Sequence, residues 1–254
     1  MILSLSSKTQ GTNVKTKILM VAFLLAVTSA AEADFLGIYG GVGYWDSESS
    51  GQIIGQTIDL QDDLNLSNGG GYHLWIAFEH PVPVLPNIKI AHTNIEDSGD
   101  GTLTKDFEFQ GIMYTVDQDV HTEIDLTHTD LTLYYELIDI AMDLDIGVTA
   151  RWLDAEVNVQ GVSDSVDIVL PALYVSAKVG LPFTGTYFGG DVNYIGYGGD
   201  KLLDYTVKVG WETENFILPE FGIELGYRSY GAEIDSFDFD IEADGVFLNL
   251  TAHF

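Results

Sequence analysis

The 254-residue chain has no cysteine, which removes disulfides, thiolate metal sites and thiol nucleophiles together. Basic residues are scarce too: 10 Lys and Arg stand against 39 Asp and Glu, for a formal net charge of −29. Binding to nucleic acid needs clustered Lys and Arg against the phosphates, so that class of function is excluded. No apolar run approaches the roughly 20 residues needed by a membrane-crossing helix. What is present pulls against the charge. Hydrophobic side chains make up 46% of the chain, with 13 Tyr, 13 Phe and 4 Trp, and the mean hydropathy is +0.14. A disordered acidic chain would lack that aromatic content. A hydrophobic fold and a large negative charge must therefore be kept apart in space.

Residues 1–33 read as a cleaved signal peptide. Lys8, Lys15 and Lys17 precede an apolar run over 18–27, and Ala31-Glu32-Ala33 forms an A-x-A-like cleavage site before Asp34. Ten apolar residues are too few for a membrane anchor. The long basic region leaves Val14 as an alternative translation start. This segment carries three of the ten basic and one of the 39 acidic side chains, so residues 34–254 hold 7 against 38. That remainder is either a soluble exported domain or a membrane β-barrel.

Period-2 alternation dominates it. Ten segments stand out, at about 35–45, 71–79, 87–95, 126–137, 142–153, 168–180, 186–197, 203–212, 221–230 and 245–254, most of them near the 9–11 residues of a tilted transmembrane strand. One face of each is apolar, as in Leu144, Ile146, Val148, Ala150 and Trp152. The other face holds small or polar residues and five of the seven remaining basic ones: Lys89, Arg151, Lys178, Lys208 and Arg228. A soluble sandwich also alternates, but a charge on the outer wall of a barrel would meet lipid at about 2–4 kcal/mol each, so this segregation favours a barrel with the basic residues in its lumen. They would face Glu79, Asp130, Glu136, Asp191, Asp204 and Glu224. A register with i + j = 432 between the strands at 203–212 and 221–230 sets Asp204 against Arg228 and Lys208 against Glu224. Glu79 and Lys89 should pair across the turn 80–86, whereas Arg151 has no assigned partner. His92 shares parity with Ile88 and Ile90, which places it on the lipid face unless a bulge re-aims it.

The connections alternate in length. Those at 80–86, 138–141, 181–185 and 213–220 are short, as periplasmic turns are, while 46–70, 96–125, 154–167, 198–202 and 231–244 are mostly longer and hold 25 of the 38 acids. A β-like stretch over 106–117 suggests a hairpin that carries the sheet past the membrane. The last ten residues alternate strictly, with Val246, Leu248, Leu250 and Phe254 on one face. This pattern resembles the C-terminal insertion signal read by the barrel-assembly machinery of Gram-negative bacteria. The expected fold is all-β: a transmembrane antiparallel up-and-down β-barrel of about ten strands over 34–254, with eight or twelve as alternatives.

The mature start Asp34-Phe35-Leu36-Gly37-Ile38-Tyr39, the block from His128 to Glu136 (HTDLTLYYE) and the run from Asp145 to Arg151 (DIGVTAR) resemble an uncharacterised family of Gram-negative outer-membrane β-barrel proteins. The resemblance implies fold and location and brings no catalytic residue or cofactor. No histidine is followed two residues later by Ser, which argues against a lipid-hydrolysing barrel. An omptin-like hydrolase is the main alternative, with His128 and Asp130 on one inward face at the outer rim and His121 in the loop above. The acidic loops offer a surface for divalent cations but lack a Ca²⁺-loop pattern. The expectation is therefore a non-enzymatic barrel of structural, surface-interaction or narrow-pore type, its lumen largely filled by ion pairs, Tyr and Trp75, in contact with outer-membrane lipid.

Overall fold

The computed structural model describes residues 37–53, 58–67, 69–139, 142–197, 200–213, 219–234 and 239–254. The expected signal peptide, the start at Asp34 and the alternative start at Val14 lie outside them. The strands in chain order are β1 (Gly37–Ile53), β2 (Ile58–Asp59), β3 (Gly70–Glu79), β4 (Asn87–Thr93), β5 (Glu96–Thr102), β6 (Phe107–Phe109) and β7 (Ile112–Tyr114). Then follow β8 (Asp119–Asp139), β9 (Met142–Val159), β10 (Val162–Gly180), β11 (Thr186–Tyr197), β12 (Asp200–Glu212), β13 (Glu220–Ile234) and β14 (Phe239–His253). No helix occurs among the described residues.

Each long strand pairs antiparallel with its neighbour in sequence, and β1 closes the sheet by pairing with both β14 and β3. β4 and β5 are two parts of one barrel strand, since both pair along β8. The result is a closed antiparallel barrel of ten strands. The hairpin expected at 106–117 forms as β6 and β7 in a sheet of their own, so the barrel does not reach twelve.

All ten expected segments coincide with strands over their described residues, but several run much further outward. β8 has 21 residues, β10 has 19, β9 has 18 and β1 has 17, where roughly 9–11 suffice to span a membrane. Much of what was expected as loop is paired sheet. Residues 96–102 pair with 119–125, and Asp154–Asp167 closes on a two-residue turn. In that turn Gln160 and Gly161 both have positive φ, 54° and 82°, the conformation that matches the twist of the flanking strands. The sheet continues because the alternation continues with its faces exchanged. Nearer the turns the outward residues are apolar and the inward ones polar. Further out, Asp154 and Asp167 face solvent while Val120, Ile124, Leu126, Leu153, Val159 and Ile241 are buried inside.

The expected register between β12 and β13 is wrong by two residues. Asp204 lies opposite Tyr230 and Thr206 opposite Arg228, a sum of 434, so Val207 faces Tyr227 and Val209 faces Leu225 on the outer wall. The expected ion pairs still form, but diagonally. Arg228 Nη2 reaches Asp204 at 2.8 Å and Lys208 Nζ reaches Glu224 at 3.0 Å. Long cationic side chains span a diagonal as readily as a direct pair, so charge matching alone could not tell the two registers apart. A Cβ at Gly210, opposite Glu224, would lie 2.2 Å from the Tyr187 ring, so a larger residue there would have to displace that ring.

Candidate functional site

The lumen is built in levels. From the end that carries the short turns and Phe254, a cavity of about 480 Å³ runs up the lumen as far as Asp204 and Arg228. Near the mouth its wall combines Trp75, Tyr134, Tyr174 and Tyr187 with the carboxylates of Glu79, Glu136, Asp139, Asp143, Asp145, Glu212 and Glu220, and deeper in it is lined by Lys89, Lys208 and Arg228. Lys178 is the one Lys or Arg at this level. It bonds both Glu212 oxygens, at 3.1 and 3.2 Å, and lies 4.3 Å from the Tyr187 ring centroid.

Above this mouth two lysines balance two acids. Lys89 approaches Asp191 at 3.8 Å, and Lys208 lies 3.6 Å from Asp191 and 3.0 Å from Glu224. Lys89 does not form the expected pair with Glu79. It lies opposite Ala77, while Glu79 accepts a 2.6 Å hydrogen bond from the Tyr134 hydroxyl. The next level is an arginine–aspartate cluster. Arg151, directly opposite Asp130 in the β8–β9 ladder, gives it two bonds of 2.8 and 2.7 Å and a third of 2.7 Å to Asp204. Arg228 gives Asp204 two more, each 2.8 Å. Arg151 is 0% exposed and Asp204 4%. The faces of Trp45 and Tyr230 cover the cluster, with Arg228 5.0 Å from the first ring and Arg151 5.6 Å from the second.

An apolar plug closes the outer half. Ile58, Leu60, Leu64 and Leu66 fold inward from the first long connection, and Leu103, Phe107, Phe109 and Tyr114 from the second. Asp63 ties the two together, accepting bonds from the Asp59 N–H at 3.0 Å and from the Thr104 N–H and hydroxyl, with Lys105 at 3.4 Å. Burial raises the pKa of Asp63, but the Thr104 hydroxyl, the backbone donors and Lys105 outweigh it and hold the carboxyl below its ordinary range. The plug was readable, since apolar residues alternate through Ile58, Leu60, Leu64 and Leu66, but the acids interleaved with them made the segment look solvated. The plug backbone runs against β5. A Cβ on Gly99 would lie 2.4 Å from the carbonyl oxygens of Leu64 and Asn65, and one on Gly101 2.3 Å from that of Asp63. Gly99→Val is therefore expected to expel the segment 58–66 while the barrel wall persists, read as new protease cleavage in that segment on an otherwise resistant protein.

The hydrolase residues do not assemble at a rim. His128 and Asp130 share the inward face, but β8 continues past them to Asp119, and His128 is buried among Tyr230, Arg228 and the Leu126 carbonyl. His121 points the other way, on the outer wall of the same strand, with Nδ1 2.8 Å from Asp100. The hydrogen bond to Asp100 and then that to Glu123 raise the His121 pKa. Because its folded value lies above the unfolded one, this contribution to stability is complete below about pH 6.5 and fades as pH rises through the folded value. NMR titration should place its midpoint above that of an unstructured histidine, and Asp100→Asn should lower it. His92 is on the outer face, as parity indicated, bonded to Thr129 at 2.9 Å and tilted against Tyr72.

The outer wall carries a band of exposed apolar residues. Phe78 and Tyr72 on β3, Phe188 and Tyr194 on β11, and Phe221 and Tyr227 on β13 mark its two edges, six residues apart in each case. Between them lie Leu74 and Ile76, Val192, and Ile223 and Leu225, while Val246, Leu248, Leu250 and Phe254 extend the band along the C-terminal strand. A closed barrel with an apolar band between aromatic edges is the wall that a bilayer requires. The chain is a β-barrel of the outer-membrane type. Beyond the band the outward positions turn acidic, and like charges lie directly opposite one another at Glu48 and Asp244, Asp125 and Glu156, and Asp154 and Asp167.

No protein-family model and no curated protein matches the chain, so the resemblance to one uncharacterised family does not become an assignment. Solved structures align across most of it. The CymD monoaromatic hydrocarbon channel does so at 7% identity over 87% of this chain and 69% of its own, with a TM-score of 0.32. The P. putida toluene transporter TodX gives 8% identity over 90% and 91%, with 0.30. The translocator domain of the autotransporter NalP from Neisseria meningitidis gives 9% over 93% and 95%, with 0.33. Scores of this size carry no argument about role, and the barrel rests on its own strand pairing.

Proposed function

We propose that this protein is a sealed outer-membrane β-barrel of a Gram-negative bacterium, non-enzymatic and non-conducting, that serves as a structural or surface-interaction protein. The observation that carries the reading is the double closure of the lumen: the cluster of Arg151, Arg228, Asp130 and Asp204, and beyond it the apolar plug. A water path would have to break buried charge pairs and then pass a dry core, which weighs against a narrow pore as well as a wide one. The same reading takes 1–33 as a cleaved signal peptide, the C-terminal strand as the segment recognised by the assembly machinery, and outer-membrane lipid as the partner of the apolar band. Membership of the uncharacterised family also belongs to this reading.

The acid-clad extension supplies the interaction surface. Its like-charge pairs attract divalent cations as a diffuse layer, without a defined site, since no group of three or more ligating side chains among the described residues could hold a metal ion. Refolded protein in planar bilayers tests the reading. No stepwise current is expected across the voltage range the bilayer tolerates, and sustained discrete openings would overturn it.

A further inference from the structure

One long wall strand has a free edge. β10 pairs with β9 along its length, from Val162 opposite Val159 to Val179 opposite Met142. Its ladder with β11 covers only Leu173–Gly180, because β11 leaves it after Tyr194. Among the described residues, Val162–Ala172 therefore has no strand on that side. The direction of its backbone groups follows from the register. The Leu181 N–H donates to the Thr186 carbonyl at 2.7 Å across the β10–β11 turn, and both ladders of β10 run without a register shift. Alternate residues counted back from Leu181 turn their backbone toward the β11 side, so Ser163, Ser165, Asp167, Val169 and Pro171 present theirs to the free edge. Pro171, which has no N–H to offer, sits at the root of that edge and leaves the β9 ladder intact.

The other seam of the extension is covered. Between β1 and β5 the segment 58–66 takes the place of a strand, with the Leu60 N–H bonded to the Gly51 carbonyl at 3.1 Å and Asn65 Nδ2 to the Asp100 carbonyl at 3.2 Å. No described segment does this for β10, and its inward side chains are open as a result. Ile168 is 38% exposed, whereas Leu153 directly opposite is 2% exposed. Val166 and Leu170 beside it are half-buried. The outward face is acidic, with Asp167 opposite Asp154 and Ser165 opposite Glu156. Free edges are commonly blunted by lysine, proline or a bulge, but beyond Pro171 this one carries none of them. Its acids repel a second copy of the same acidic edge and attract a basic one.

We propose that the free edge of β10 docks a basic, extended segment of a partner protein as an added strand. Apolar residues on one face of that segment cover Val166 and Ile168, and Lys or Arg on the other face lies against Asp167. The site starts where Val169 stands opposite Trp152, at the edge of the apolar band, so the added strand lies just outside the membrane. This deepens the surface-interaction reading and rests on it for the side from which the partner comes; the free edge itself does not.

Fluorescence anisotropy of the refolded protein in detergent micelles tests the proposal, with a labelled peptide of alternating Lys and Val as the probe. Saturable one-to-one binding is expected. In an antiparallel pair the residues opposite Ser165, Asp167 and Val169 point their N–H groups at β10, and these are the lysines of the probe. Methylating the Lys backbone nitrogens should therefore weaken binding at least about tenfold, whereas methylating those of Val should leave it nearly unchanged. Ser165→Pro, which removes one edge N–H, should weaken the parent peptide to a similar degree. Glu48→Gln with Asp244→Asn, on β1 and β14, should have no effect. Heat-modifiable gel migration checks that each variant is folded; should Ser165→Pro fail to refold, the two methylated peptides are compared on the wild-type protein. The proposal is overturned by an absence of saturable binding, by equal affinity of the two methylated peptides, by unchanged affinity in Ser165→Pro, or by an equal loss in the β1–β14 variant, which would mean diffuse attraction to acid. A dimer of the free protein that Ser165→Pro abolishes would also overturn it, by giving the edge to a second copy. None of these results bears on closure of the lumen, which the bilayer measurement tests separately.

Discussion

Asp204→Ala is expected to destabilise the folded barrel by about 3–5 kcal/mol, the range for breaking a buried ion pair from one side. Asp204 is the hub of the cluster. It accepts three of the five arginine–aspartate hydrogen bonds and is the sole carboxylate that Arg228 touches there. Removing it leaves the Arg228 guanidinium buried with Thr93 and His128 as its remaining polar neighbours. Asp130→Ala should cost less, because Arg151 keeps its 2.7 Å bond to Asp204. Urea unfolding of the refolded protein in lipid vesicles, followed by tryptophan fluorescence, measures both. The hub assignment fails if the two variants are equally destabilised or if Asp204→Ala lies within about 1 kcal/mol of wild type. Replacing all four residues by apolar ones of similar volume should recover much of the loss, since the cost lies in the stranded charge.

That cluster marks how far the sequence could be read. Parity placed Arg151, Arg228 and Asp204 on the inner face, because lipid forbids them on the other, and all ten wall strands were legible for the same reason. The partners were less legible. Lys89 reaches Asp191 rather than Glu79, and Arg151 is shared between Asp130 and Asp204, because a closed lumen brings together strands that are not neighbours in sequence. The shift of the β12–β13 register by two residues has a related cause, since charge pairs tolerate a diagonal while the outer apolar residues pack acceptably in either frame. The outer half was hardest to see. Acids on the outward face of 119–125 and 154–167 are what loops carry as well as what a solvated wall carries. Only the buried Val120, Ile124, Leu126 and Val159 distinguish the two.

The exchange of faces accounts for a hydrophobic chain with so negative a charge. Within the apolar band the wall is greasy outside and charged inside, whereas the extension is acidic outside and greasy inside. One continuous strand such as β9 does both, passing from Ile146, Val148 and Trp152 outward to Asp154 and Glu156 on the same face. The crossover, at Trp152 on this strand and Tyr227 on β13, fixes where the outer edge of the bilayer should lie.

A pair of arginine substitutions locates that edge. Val207 points outward on β12 within the apolar band and is 55% exposed in the isolated chain. Val207→Arg is expected to cost about 2–4 kcal/mol in a bilayer, the penalty for a cation near the midplane, and to reduce the yield of heat-modifiable protein. Asp154→Arg lies beyond Trp152, directly opposite Asp167, so there the same side chain replaces a like-charge pair by an opposite-charge one. It should be neutral or stabilise by about 0.2–1 kcal/mol. Both are measured by urea unfolding in the same vesicles, because the contrast depends on lipid and should shrink once detergent replaces the bilayer. Equal effects at the two sites would mean that the apolar band ends elsewhere, since a barrel seated as its faces indicate cannot carry a cation at Val207 as easily as at Asp154.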